Sequence, residues 1–99
     1  MAASLGLVIR HPIYGSGSKT AYTGTAGTVT VPGTTASVMI WVSTAAFVRV
    51  GGTATTSDLP LPANAPIIIP TTSTTGAPIT VSAIQDASNG NMYVIAMAE

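Results

Sequence analysis

The sequence predicts an all-β fold, a small β-sandwich of about eight short strands, and three observations carry that expectation. No window of eleven or more residues places apolar side chains at i, i+3, i+4 and i+7 free of Gly or Pro, so no long helix is expected. Thr and Ser supply 25 of the 99 residues, and Thr, Val and Ile branch at Cβ, which fits a pleated sheet better than a helix. Short apolar or alternating runs recur at a spacing of roughly 8–12 residues, separated by turn formers. That spacing describes a sandwich or small barrel, and a count of eight suits a jelly roll. The length allows one domain, residues 1–99.

Taken in order, residues 5–10 read as a first strand, stopped by Pro12 and the loop Gly15-Ser16-Gly17-Ser18. Residues 20–25 form a weaker strand, because Gly24 sits inside it. Residues 28–31 alternate Thr and Val and end at Pro32-Gly33, a pair suited to a type II turn in which Pro sets φ and Gly accepts positive φ. The strongest run is 37–43, with Val38, Ile40 and Val42 on one face and Met39 and Trp41 on the other. In residues 46–50, Ala46, Val48 and Val50 alternate against Phe47 and Arg49. Gly51-Gly52 then open a polar connection to Asp58-Leu59-Pro60-Leu61-Pro62, whose prolines cannot donate to a ladder and so mark a loop or an edge. Residues 66–69 are a short buried strand bracketed by prolines. Residues 79–85 and 91–97 close the chain, joined by the hairpin pair Asn89-Gly90. The low-complexity stretches 51–57 and 71–76 read as solvated loops, with a course along a partner as the alternative.

Charge narrows the function classes. Three Lys/Arg stand against three Asp/Glu, only 6% of the chain, where a soluble domain carries about 25%. Nucleic acid demands clustered cations to neutralise phosphates, and anionic membranes demand the same, so neither is an expected partner. No unbroken apolar run approaches the roughly 20 residues of a transmembrane helix. The first ten residues lack the basic leader and apolar length of a signal peptide. An eight-stranded outer-membrane barrel, with strands of about 9–11 residues plus turns, would almost exhaust the chain. With no cysteine there are no disulfides, thiolate metal sites or cysteine nucleophiles. A surface so poor in charge is weakly protected against association and is more comfortable partly covered.

The chemical stock is small: His11, Lys19, Asp58, Asp86, Glu99 and many hydroxyls. A Ser-His-Asp triad is defined by geometry rather than spacing, but no Gly-x-Ser-x-Gly elbow points to one. The Gly15–Ser18 loop resembles part of a phosphate loop without the Gly-Lys-Ser/Thr that would follow, and reads as a linker. No carboxylate pair or His-x-His spacing fits a metal, so no enzyme, metal or cofactor is expected. His11 reads as a surface residue at a strand end, and Asp58 and Asp86 as holders of Asx-turns. Trp41 and Phe47 lie opposite the regular aliphatic sets of their strands. Either the sandwich buries Trp41, or the two are exposed anchors at a protein interface, where aromatics and Arg are enriched. Arg49, on the same face as Phe47, favours the interface for that strand. The candidate interface residues are therefore Trp41, Phe47, Arg49 and Asp58. A carbohydrate-binding face would also use aromatics, although five scattered along the chain make a poor sugar platform.

From Phe47 to Pro70 the run Phe-Val-Arg-Val-Gly-Gly, then a Thr/Ala loop, then Asp58-Leu59-Pro60-Leu61-Pro62-Ala63 and an aliphatic strand, resembles small virion proteins of tailed bacteriophages. Residues 79–85 with Gly90-Asn91-Met92-Tyr93-Val94 resemble their closing hairpin, so the likeness covers about half the chain. The resemblance implies a structural role, above all that of a capsid decoration (cement) protein. Such a protein is a β-rich homotrimer or homodimer that binds the major capsid protein on the outside of the virion, and it brings no catalytic residues or cofactor. A neck, tail or fibre component of the same particle is the alternative, and a carbohydrate-binding module a third reading.

Overall fold

In a computed structural model that describes residues 11–33, 35, 37–71 and 77–98, the chain is all β. Nine strands form among these residues: β1 (His11–Pro12), β2 (Ser18–Tyr22), β3 (Gly27–Val31), β4 (Ser37–Val42), β5 (Ala46–Val50), β6 (Leu59–Leu61), β7 (Ile67–Pro70), β8 (Ile79–Gln85) and β9 (Gly90–Ala98). The strand expected at residues 5–10 lies outside the described residues, as do 72–76 of the second low-complexity stretch.

The strands form two antiparallel sheets. In the first, β1 and β2 both pair with β9, which pairs with β4, which pairs with β7; the second runs β3-β8-β5-β6. The pairing is nested: β2 with β9, β3 with β8, β4 with β7 and β5 with β6. One long antiparallel ribbon, with its tip between β5 and β6, thus lies across two sheets, held by the further pairs β4·β9 and β5·β8.

Alternation decides which residues go inside. Val38, Ile40 and Val42 of β4 and Met92 and Val94 of β9 are almost fully buried, and meet Val48 of β5, Val81 and Ala83 of β8, and Leu61 of β6. Both sheets thus share one apolar core, an arrangement consistent with a β-sandwich. Tyr22, 1% exposed, closes one end of that core.

Several expected boundaries shift for local reasons. β2 begins at Ser18 and stops at Tyr22, because Thr23 and Thr25 close a turn on each other: the Thr23 N–H donates to Thr25 O at 3.2 Å and the Thr25 N–H to Thr23 Oγ1 at 3.1 Å. β1 and β2 are two parts of one course along β9, interrupted at residues 13–17. There Gly15 takes φ +91°, and Ser16 Oγ accepts the Ala96 N–H at 3.2 Å in place of a backbone partner. The Pro32-Gly33 turn is shifted by one residue from the type II placement: the Thr35 N–H donates to Pro32 O at 3.0 Å, which puts Pro32 first rather than second. β6 is the edge strand that the prolines allowed. β7 is half-buried rather than buried, because it is also an edge, and it turns Ile68 outward.

The expected hairpin at Asn89-Gly90 does not form. β8 and β9 belong to different sheets, so residues 86–89 cross between them. Gly90 is absent from the positive-φ residues; it is needed for close approach. A Cβ there would fall 2.4 Å from Thr44 Oγ1 and 2.6 Å from the Tyr22 hydroxyl, closer than real contacts allow.

Candidate functional site

In an antiparallel ladder, directly opposed residues share a face. In the first sheet the register therefore builds the outer face in rows: Lys19 beside Tyr93 beside Trp41, then Ile95 beside Met39 beside Ile68. With Val38, Ile40, Val42, Met92 and Val94 turned into the core, these side chains point outward. Trp41 is 37% exposed and Ile68 44%. The Trp41 and Tyr93 rings stack with centroids 4.7 Å apart and planes at 28°. Together they wall an open groove of about 420 Å³, lined also by Lys19, Met39, Pro66 and Ile95. Among the described residues Lys19 is the one formally charged residue in that lining.

The outer face of the second sheet is built differently. Phe47 lies half-buried, opposite Pro60 of β6 and Ile84 of β8. Arg49 stands opposite Ser82. The 51–57 segment, expected as a solvated loop, packs in part onto its own sheet: Ala54 is 3% exposed and its N–H donates to Ser82 Oγ at 2.9 Å. Ser82 Oγ in turn donates to Gly27 O at 3.0 Å. Gly51, at φ +101°, lets the chain reverse out of β5. Asp58 anchors the far end of the loop, accepting from the Thr55 N–H at 2.7 Å and from Thr55 Oγ1 at 3.2 Å, while its own N–H donates to Thr55 O at 3.1 Å. This is a reciprocal closure back to a residue three earlier, not the Asx-turn expected of Asp58. Arg49 lies 3.9 Å from Asp58 and strengthens the same anchor.

The four candidate interface residues thus divide. Trp41 stands in the groove on one outer face, while Phe47, Arg49 and Asp58 gather on the other, where Arg49 and Asp58 answer each other. Of the two readings of Trp41, burial in the core is set aside, because its strand gives the inward face to Val38, Ile40 and Val42. Met39 shares the face of Trp41 as its strand alternation implied. Tyr93, Ile95 and Lys19 come from other strands and were not anticipated as its neighbours, although the alternation of β9 against Met92 and Val94 already separates Tyr93 and Ile95 from the core set.

Elsewhere, His11 is exposed at the edge of the first sheet and Asp86 is exposed between β8 and β9. Among the described residues no three His, Cys, Asp or Glu side chains come together as a metal-holding group, and no helix is long and apolar enough to cross a membrane. No family model, curated protein or solved structure matches the chain.

Proposed function

We propose that this chain is a non-enzymatic virion structural protein that binds the outside of an assembled phage capsid and stabilises it, as decoration (cement) proteins do. The observation that carries the reading is the outer face of the first sheet, where Trp41, Tyr93, Met39, Ile95 and Ile68 form an apolar surface with Lys19 as its one charge among the described residues. Exposed aromatic and aliphatic side chains in one contiguous patch mark an interaction surface. The low charge of the whole chain adds to this, since it removes the repulsion that keeps proteins apart. In its finer description the fold is a jelly roll: the nested order β2·β9, β3·β8, β4·β7 and β5·β6 across two sheets supports it, and capsid domains are among the uses of that architecture.

A cement protein acts by linkage. It binds the assembled shell and not the dissociated subunits, so assembly is stabilised as by any ligand selective for one state. The test is the copy number of the chain in purified particles, by quantitative mass spectrometry against the major capsid protein. A ratio near one to one is expected. A number comparable to neck or tail parts transfers the chain there, and absence from the particle overturns the virion role.

One observation favours a carbohydrate-binding module as a second reading: Trp41 is exposed beside a second aromatic, Tyr93. Against it, the polar side-chain groups around the groove among the described residues are Ser18, Lys19, the Tyr93 hydroxyl and the Trp41 indole N–H, a thin set for sugar hydroxyls. Trp41 is the sole tryptophan, so its fluorescence during glycan titration reads the question directly.

A further inference from the structure

We infer that the open edge of β3 pairs with β3 of a second copy, making a two-fold dimer in which the second sheets of the two molecules run on as one. Among the described residues the two sheets end in β1/β2, β7, β3 and β6. Three of these edges carry the features that prevent strand addition, namely proline without an N–H or an outward lysine. β6 holds Pro60 at its centre, β7 ends at Pro70, β1 is His11–Pro12, and β2 turns exposed Lys19 outward. β3 is different. Gly27-Thr28-Val29-Thr30-Val31 contains no proline and no charge, and among the described residues no strand pairs with its far side.

The strand is also complementary to itself. Pairing β3 with its copy about Val29 sets Gly27 against Val31, Thr28 against Thr30, and Val29 against Val29. Each pair then joins residues of one face, as an antiparallel ladder requires. The register with β8 puts Val29 and Val31 on the core side, opposite Val81 and Ile79, and Thr28 and Thr30 on the outer side. Threonines opposed across strands are a favourable pair. Centring on Thr30 instead would bring Pro32 into the ladder against Thr28, so Val29 is the register that uses the whole strand. An interface made of one patch on both partners closes at two copies. With a net charge of zero, the chain sets no field against meeting itself.

The test uses the isolated chain and so stands or falls apart from the virion reading. Sedimentation equilibrium at micromolar concentration is expected to give twice the 9.9 kDa of the chain. Thr28→Lys/Thr30→Lys places like charges opposite each other on both sides of the central Val29 pair and is expected to weaken self-association at least tenfold. Thr28→Lys/Thr30→Glu places opposite charges there and is expected to keep the dimer. Thr28 and Thr30 are exposed, and unchanged circular dichroism shows that each variant is folded. If the first variant fails to fold, the second still decides. A wild-type mass of one or three chains, a folded first variant that remains dimeric, or a folded second variant that is monomeric each overturns the proposal.

Discussion

The Tyr22 hydroxyl donates to the Thr44 carbonyl at 2.6 Å, and the Thr44 N–H donates back to the same hydroxyl at 3.2 Å. Tyr22 ends β2 in the first sheet, and Thr44 sits in the turn where the chain leaves that sheet for β5 in the second. Thr44 Oγ1 carries the connection onward to Ser88 O at 3.1 Å and Asn89 O at 3.3 Å, so one phenol ties both crossings at that end. Tyr22→Phe keeps the ring in the core and leaves the Thr44 N–H without that acceptor. A loss of about 1–3 kcal/mol is expected in urea denaturation, with the fold retained by circular dichroism.

Gly90 makes this junction possible by having no side chain. Gly90→Ala drives a methyl into Thr44 Oγ1, the Tyr22 hydroxyl and Ser43 Oγ, at 2.4, 2.6 and 2.9 Å. Overpacking of this kind costs about 1–3 kcal/mol. Combined with Tyr22→Phe, the loss is expected to be smaller than the sum of the two, since removing the hydroxyl removes one clash. Equilibrium unfolding of the single and double variants gives the coupling directly.

Ser82 is buried and holds the 51–57 segment on the second sheet through the Ala54 N–H, while donating to Gly27 O. Ser82→Ala leaves the buried Ala54 N–H without its acceptor and the part-buried Gly27 carbonyl without that donor. A destabilisation of about 1–3 kcal/mol is expected, with faster hydrogen exchange at the Ala54 amide than at amides of β4.

Arg49 and Asp58 are partners of unequal weight. The Arg49 side chain is 51% exposed and its pair with Asp58 spans 3.9 Å, so Arg49→Ala is expected to cost less than about 1 kcal/mol. Asp58 also holds the Thr55 N–H and hydroxyl, so Asp58→Ala is expected to cost about 1–2 kcal/mol. Equal losses in a denaturant titration would mean that the ion pair, and not the turn, secures the loop.

The alternation of Val38, Ile40 and Val42 against Met39 and Trp41 was legible in the sequence because side-chain parity is local: a strand with one buried face declares that face along its own length. β5 and β8 were readable with their observed bounds for the same reason. Pairing was not. Asn89-Gly90 has the composition of a hairpin turn, yet what sets it is the approach of Thr44, 45 residues earlier in the chain, and no local pattern encodes that. Ala54 reads as loop composition because its partner, Ser82, lies 28 residues away. The candidate site follows the same division. That Trp41 points away from its aliphatic neighbours could be read from β4 alone, but its row with Tyr93 and Lys19 exists only through the register of β4 and β2 on β9.

Trp41 gives the sharpest separation of stability from binding. Its ring lies on Tyr93 outside the core, so Trp41→Ala forfeits an aromatic pair worth about 0.5–1.5 kcal/mol and some partly buried area, and the chain is expected to fold. Aromatic anchors of this kind dominate interface energies, and a loss of about 2 kcal/mol at the proposed capsid contact corresponds to a weakening of more than tenfold. The β3 pairing makes the effect larger. An antiparallel pair of strands has its two-fold axis perpendicular to the sheet, so both copies of the groove face the same side of the dimer. A shell bound through both gains avidity, and truncating Trp41 removes two anchors at once. Because Lys19 is the one charge lining the groove among the described residues, raising the salt from low to moderate ionic strength is expected to change wild-type binding less than tenfold. Pelleting of emptied capsids with wild-type and Trp41→Ala chains, across a salt series, measures both effects. Unchanged binding of a folded Trp41→Ala chain moves the contact to another face, and steep salt dependence means that charges outside the groove carry it.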